Sequence, residues 1–248
     1  MSRVGMTVDP YKGIPLSVLF RAVRTAGIRH AEITPQFFHS GSSVLRAVRG
    51  MRLGLHLPNA AIEGWDLSSG SRVSEIRDFI ARVRGLSAEI HIEYAVCHPP
   101  ESPEDERSTS LYFDSLRNLS LPLVLENIRT CTGRDFLQFH SRCKQELGDQ
   151  LHGVCLDIPH AVLSGQDWRL LFLHFTSRIK VVHLSDVEGS EDRHRPFGRH
   201  STLSLPGILR FLARQDYQGV LNFEIMPVGS LGILDMFRNI RHAQKMFE

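Results

Sequence analysis

Gly153-Val-Cys-Leu-Asp157-Ile-Pro-His160 is a short apolar run closed by a carboxylate, with an imidazole following shortly after. The same figure, an apolar run ending in His, Asp or Glu, recurs in Leu53-Gly-Leu-His56, Ala95-Val-Cys-His98, Leu123-Val-Leu-Glu126, Lys180-Val-Val-His183 and Leu221-Asn-Phe-Glu224. Strands buried on both faces of a parallel sheet read as runs of this kind. In a closed barrel of parallel strands the chemistry gathers at the carboxyl ends of the strands. Imidazoles and carboxylates repeated at that edge point to a divalent-metal site.

Working outward, strand candidates fall at Val4–Thr7, Ala31–Thr34, Arg52–His56, Glu89–Cys97, Leu123–Glu126, Gly153–Asp157, Ile179–His183 and Val220–Glu224. Between them lie segments with apolar spacing near the helical period: Leu16–Ala26, Val73–Val83, Leu111–Leu119, Phe136–Leu147, Trp168–Phe175, Ile208–Leu212 and Leu231–Phe247. This regular alternation predicts an α/β fold, a (β/α)8 barrel, as a single domain over residues 1–248. The length of 248 residues is usual for one such barrel. Three long connections, Leu57–Ser71, Pro99–Arg107 and Leu184–Leu205, leave carboxyl ends of strands and are expected to rim the site.

Composition narrows the function classes. A net charge of +2 gives no general attraction for nucleic acid. The chain has no apolar run long enough to span a membrane, and its N-terminus lacks the long apolar stretch of a signal peptide. The four cysteines, Cys97, Cys131, Cys143 and Cys155, show no C-x-x-C spacing, so reduced structural thiols in a cytoplasmic protein are expected. Neither a Walker loop nor a G-x-G-x-x-G after the first strand is present.

The chemistry-bearing residues form groups. Glu126, Asp157, His183 and Glu224 close strands five to eight in succession. Three carboxylates with one imidazole suit Mg²⁺, Mn²⁺, Co²⁺ or Zn²⁺. His160 can ligate a metal or bind a substrate hydroxyl or phosphate. His56 and His98 could hold a second metal or contact substrate. Asp192 and His194, two apart in the loop after strand seven, could grip one ion. The surrounding segment Arg193-His-Arg-Pro-Phe-Gly-Arg199 supplies cations for a phosphate. Asp186 is placed to orient His183. Glu32 closes strand two and could hold a ligand or a loop. Trp65 and Phe37 could stack on a substrate ring, with packing of a loop onto the rim as the plainer reading.

Together these residues resemble the xylose-isomerase-like TIM-barrel superfamily, which contains sugar-phosphate isomerases and epimerases and also endonuclease IV. The resemblance runs from Val4 to Glu224 and is carried by Leu125-Glu126-Asn127, Leu156-Asp157-Ile158-Pro159-His160, Val182-His183-Leu184-Ser185-Asp186, Asp192-Arg193-His194 and Phe223-Glu224. It implies that Glu126, Asp157, His183 and Glu224 hold a metal, and that His160 contacts substrate. In the endonuclease branch it implies that His56, His98, His160, Asp192 and His194 join them in a three-zinc centre bridged by Glu126. One departure is Gly198-Arg199-His200, where the family usually has Gly-x-Gly.

Three functions follow as expectations. The leading one is a metal-dependent sugar or sugar-phosphate isomerase or epimerase, moving a proton between adjacent carbons through a metal-stabilised enediolate. There Glu126 and Glu224 would be both ligands and acid–base pair, and His160, Arg193 and Trp65 would contact substrate. The second is a multi-zinc phosphoesterase acting on abasic nucleic acid or a small phosphodiester. It uses every candidate ligand but lacks insertions to grip a duplex. The third is a barrel retained for binding alone. Substrate, metal identity and number, and homo-oligomerisation are left open at this stage.

Overall fold

The computed structural model describes residues 3–198 and 200–247. Its strands are β1 Val4–Val8, β2 His30–Ile33, β3 Arg52–His56, β4 Ile92–Cys97, β5 Leu123–Glu126, β6 Leu151–Asp157, β7 Ile179–Leu184, β8 Asp186–Glu188, β9 Glu191–Arg195 and β10 Val220–Phe223. Eight of them close a parallel barrel in the order β1-β10-β7-β6-β5-β4-β3-β2. The remaining two, β8 and β9, pair as an antiparallel hairpin.

Why the barrel holds its polar residues at one end follows from the two-residue period of a strand. Val96, Val124, Cys155, Val181 and Val220 form, with Tyr94, a small apolar cluster separate from the main core. Two residues after four of these apolar members come His98, Glu126, Asp157 and His183, on the same face. Val220 is followed in the same register by Asn222 and then Glu224. The alternate residues, such as Leu125, Leu156 and Val182, belong to the main core, together with helix residues such as Phe20, Phe136 and Leu209. An inner apolar layer therefore lies beneath a polar layer at the carboxyl edge. Register reinforces the gathering, since His183 lies opposite Asp157 on one side and Asn222 on the other.

Helices cover the outside. Leu16–Thr25 buries Leu16, Phe20 and Val23, and Leu205–Arg214 buries Leu205, Ile208, Leu209 and Leu212. Three helices escape the reading of periodicity because they are short: Ser42–Val48, Ala60–Glu63 and Ile158–Leu163. The second sits in the long connection after β3 and has a capping signal. Asn59 Oδ1 accepts from the Ile62 N–H at 3.0 Å, and Glu63 returns an acceptor to the Asn59 N–H at 2.9 Å. The fourth barrel strand begins at Ile92, not at Glu89, because Glu89 and Ile90 still donate to Leu86 O at the end of the helix Val73–Ser87. The connection after β7 is not an open loop but the β8–β9 hairpin. All four cysteines are free, and among the described residues no helix is long and apolar enough to cross a membrane. Arg199, one of the loop cations considered for a phosphate, lies outside the described residues.

Candidate metal centre

Glu126 is the hub. It ends β5 wholly buried, and four imidazoles surround its carboxylate. His98 Nε2 lies 3.1 Å and His56 Nε2 3.6 Å from Oε2, His183 Nδ1 lies 3.5 Å from Oε2, and His160 Nδ1 lies 3.1 Å from Oε1. Imidazoles from the ends of three strands and from the helix that follows β6 thus converge on one carboxylate.

Two neighbourhoods flank the hub. On one side His183 Nδ1 lies 3.1 Å from Glu224 Oε2 and 3.8 Å from Asp157 Oδ2. On the other, His160 Nε2 lies 2.9 Å from Asp192 Oδ2, and His194 Nδ1 lies 3.6 Å from Asp192 Oδ1. The reason for this second grouping is local. Asp192 and His194 are two apart on β9, so they share a face, while Arg193 between them is exposed. His194 takes a left-handed backbone with φ of 47°, an uncommon geometry for a non-glycine residue that concentrates at functional sites. Its carbonyl accepts from the Met226 N–H at 2.7 Å, which ties the hairpin to the segment after Glu224.

Asp157 divides its two oxygens between structure and site. Oδ1 accepts from the His160 N–H and so caps the helix Ile158–Leu163, whose second residue is proline. Asn127 clamps the same strand end, accepting from the Asp157 N–H at 2.9 Å and donating to its carbonyl at 2.8 Å. Oδ2 is left for the site.

The residues fit a set of divalent cations by a direct test. Both Glu126 oxygens, Asp157 Oδ2, Asp192 Oδ1, His98 Nε2, His183 Nδ1 and His194 Nδ1 are all buried without a hydrogen-bond partner. Buried polar atoms are rarely left so, and here they face one another. Oxygen and nitrogen ligands at the usual zinc bond lengths and tetrahedral angle stand about 3.3 Å apart, and the separations above bracket that value. Two of the imidazoles have one nitrogen beside a backbone carbonyl: His56 Nδ1 is 3.0 Å from Leu57 O, and His160 Nδ1, the atom that also approaches Glu126, is 2.9 Å from Asn127 O. A proton held there leaves the other nitrogen's lone pair free, the arrangement a ligating histidine uses. Ligand atoms fall within 4.8 Å of one another in the sets His56, His98 and Glu126; Glu126, Asp157 and His160; and Asp157, His183 and Glu224. Cys155 Sγ also lies within 4.8 Å of ligand atoms of Glu126 and His183, but burial pushes its thiol well up, so it stays protonated as a small apolar group.

The protonation pattern without cations follows from the same crowding. Burial disfavours charge on His56, yet contact with Glu126 and the charges of Glu224 and Glu32 carry its imidazolium up to about 9. Burial raises the Asp157 carboxyl to about 7, against the pull of His160. His160 and His183 are likewise held well above the usual imidazole value, because neighbouring negative groups outweigh burial. Groups raised in the folded state contribute stability that is fully present below their unfolded values and lost as pH climbs through the folded ones. Chelator-treated protein is therefore expected to melt at progressively lower temperature between pH 6.5 and about 9. Saturating zinc should remove most of that slope, since a cation replaces the retained protons. Melting curves at three pH values check this, and a flat midpoint in the metal-free protein would contradict it.

The basin above these residues has a volume of about 1320 Å³. One arm runs between the segment Pro99–Glu104 and the helix Gly133–Leu147. Its walls carry Arg129 and Arg142 beside Glu101, Glu104, Asp135 and Glu146. Arg142 is already paired with Glu106 at 2.7 Å.

Nine residues singled out from the sequence are thus brought together: His56, His98, Glu126, Asp157, His160, His183, Asp192, His194 and Glu224. Others are placed elsewhere. Arg193 does not line the basin. It is half exposed and pairs with Glu191 and Glu188 on its own hairpin. Trp65 packs edge-on against Phe79 at 5.9 Å and is a packing residue of the rim. Phe37 is buried against Phe20 and Phe38. Asp186 does not orient His183. Its carboxylate accepts from the Thr202 and Leu203 N–H groups at 3.2 and 2.8 Å and holds the chain after the hairpin. The acceptor at His183 Nε2 is instead Glu32, at 3.1 Å. The signal for Glu32 was its parity on β2, two residues after His30 and on the same face.

Against this geometry the comparisons with known proteins are informative. The structure superposes on an AP endonuclease of family 2 from Brucella melitensis with a TM-score of 0.74, 14% identity and full coverage of both chains. It superposes on 3-keto-D-glucoside 4-epimerase from E. coli with a TM-score of 0.68 and 17% identity, covering 99% of this chain and 100% of that one. A D-allulose 3-epimerase from Methylomonas sp., solved with D-allulose, gives a TM-score of 0.69 and 14% identity, with 98% and 94% coverage. At these identities the likeness shows a shared fold. No curated protein matches the sequence. Residues 13–246 match the family described as xylose isomerase-like TIM barrel. With nearly the whole chain matched and the barrel closed as that family requires, this protein belongs to the xylose isomerase-like TIM-barrel family.

Proposed function

We propose that this protein is a phosphoesterase dependent on several divalent cations, with a phosphodiester as its substrate. The observation that carries the reading is the enclosure of Glu126. In an isomerase a carboxylate that moves a proton must reach a substrate carbon. Glu126 is wholly buried and both its oxygens face imidazoles. That position, at the floor of the basin with imidazoles on both oxygens, suits a carboxylate shared between cations.

His56, His98 and Glu126 would hold one cation, Glu126 with Asp157, His183 and Glu224 a second, and His160, Asp192 and His194 a third. Cations held so closely supply Lewis-acid polarisation of a phosphoryl oxygen and offset charge on the attacking and departing oxygens. The chain's own residues do the rest. Glu224, 14% exposed, is less covered than Glu126 and Asp157 and faces the basin, where it can orient an incoming water. Asp192 and His160 face the same space and would hold a cation there, beside the position a phosphate would take. Carboxylates outnumber guanidiniums along the arm of the basin, so a compact diester fits it better than the densely charged backbone of a duplex.

The sugar isomerase or epimerase remains the second reading. It is favoured by the His183, Asp157 and Glu224 group, which could hold a single ion against a sugar. Elemental analysis of metal-saturated protein, with hydrolysis of bis(p-nitrophenyl) phosphate, separates the two. More than one ion per chain and a chelator-sensitive diesterase are expected. A single ion with epimerisation of a ketose such as D-allulose would overturn the proposal. Cleavage of an abasic-site duplex, run in parallel, distinguishes a nucleic-acid substrate from a small one.

A further inference from the structure

We propose that Glu32 is a positioning residue of this centre: its buried carboxylate accepts the Nε2–H of His183, and this fixes the ring with Nδ1 turned to Glu126, Asp157 and Glu224. The inference rests on the reading of His183 as a metal ligand, but not on phosphoester chemistry.

Glu32 is wholly buried inside the barrel, below the strand-end layer. Tyr94 O–H donates to Oε2 at 3.1 Å, and Asn222 Nδ2 donates to Oε1 at 3.3 Å while also reaching Thr7 Oγ1 at 2.8 Å. Because the Tyr94 proton is committed to Glu32, its oxygen is the acceptor for His30 Nε2 at 2.9 Å. An ionised carboxylate is acceptor-only. Donors approach it from Tyr94 and Asn222, so the remaining neighbour, His183 Nε2 at 3.1 Å from Oε1, must donate too. Once that nitrogen carries the proton, Nδ1 of the neutral ring presents a lone pair. It lies 3.1 Å from Glu224 Oε2 and 3.5 Å from Glu126 Oε2 without any hydrogen bond. A lone pair facing carboxylates is tolerable only with a proton or a metal cation between them, and the second is what the zinc-loaded centre would supply.

The barrel has been opened to admit this chain of groups. A Cβ at Gly54 would stand 2.4 Å from Tyr94 Cζ, and one at Gly5 would stand 2.4 Å from His30 Cδ2. Any larger residue at either position would displace the ring beside it. A buried carboxylate with no task is costly, whereas one that orients a ligating imidazole and raises its basicity has a recurrent function.

The test uses zinc and needs no turnover. In ¹⁵N-histidine spectra of the zinc-loaded protein, with His183 assigned by its loss in His183→Ala, the proton is expected on Nε2. A proton on Nδ1 would overturn the proposal without any Glu32 variant. Competition with a fluorescent chelator should then show Glu32→Gln binding its weakest zinc about 10–100-fold less tightly. Tyr94→Phe, which leaves the carboxylate against His183, should stay within a few-fold of wild type. Unchanged zinc affinity in a folded Glu32→Gln protein would equally overturn the proposal. If diester hydrolysis is absent while these results hold, the functional proposal fails and the positioning role stands.

Discussion

Glu126→Gln is expected to abolish turnover while the barrel still folds. The loss should be at least about 10³-fold, on the order of 4 kcal/mol of transition-state stabilisation. The amide keeps the shape of the side chain, and the apolar layer beneath it, Val96, Val124, Cys155 and Val181, is untouched. What disappears is the negative charge that four imidazoles share. Burial opposes ionisation of Glu126, but His98 and His183, supported by His160 and His56, hold its carboxyl well below the usual range. Those contacts act in both directions, so in the variant His56 loses its strongest reason to retain a proton, and His160 and His183 lose part of theirs. The pH-dependent melting of the metal-free protein should flatten as well. Steady-state kinetics, metal content and circular dichroism measured on the same preparation check all of this. A folded variant with near-normal turnover would remove Glu126 from the chemistry.

His98→Ala has the second largest expected effect and the sharpest discrimination. If His56, His98 and Glu126 hold a cation of their own, truncating His98 removes one of its three ligands. That chain should then carry one ion fewer, and kcat should fall by about 10²-fold or more. Under a single-ion isomerase His98 is only a wall of the substrate basin, and the variant should raise KM with kcat nearly intact. Its imidazole lines the basin and not the apolar core, so the fold should survive the truncation. Metal content and the split between kcat and KM decide between the two outcomes.

The chelation, metal-count and His98 experiments all probe side chains that were readable one at a time. Asp157 was read as a strand-end carboxylate, and the structure adds that one of its oxygens caps the helix Ile158–Leu163. The strand ends at Glu126, His183, His56 and His98 were visible because a buried parallel strand leaves an uninterrupted apolar run before them. Glu32 was seen as a strand end without its partner, because His183 is 151 residues away and only barrel closure makes them neighbours. Arg193 and Asp186 were assigned by nearness in sequence. The β8–β9 hairpin, whose alternation sends Arg193 outward, and the backbone turn capped by Asp186 were not legible from a polar, aperiodic segment.

Sequence by itself determined that eight apolar runs alternate with amphipathic helices, and that imidazoles and carboxylates stand at one end of the runs. Period and burial are local properties, carried by neighbouring residues. Tertiary structure alone decided that Glu126 would be enclosed by His56, His98, His160 and His183. It also decided that Glu32 would lie beneath His183. Closing the sheet brings distant strands to within a few ångströms, and the identity of the residue across that gap determines whether a carboxylate moves a proton or binds a cation.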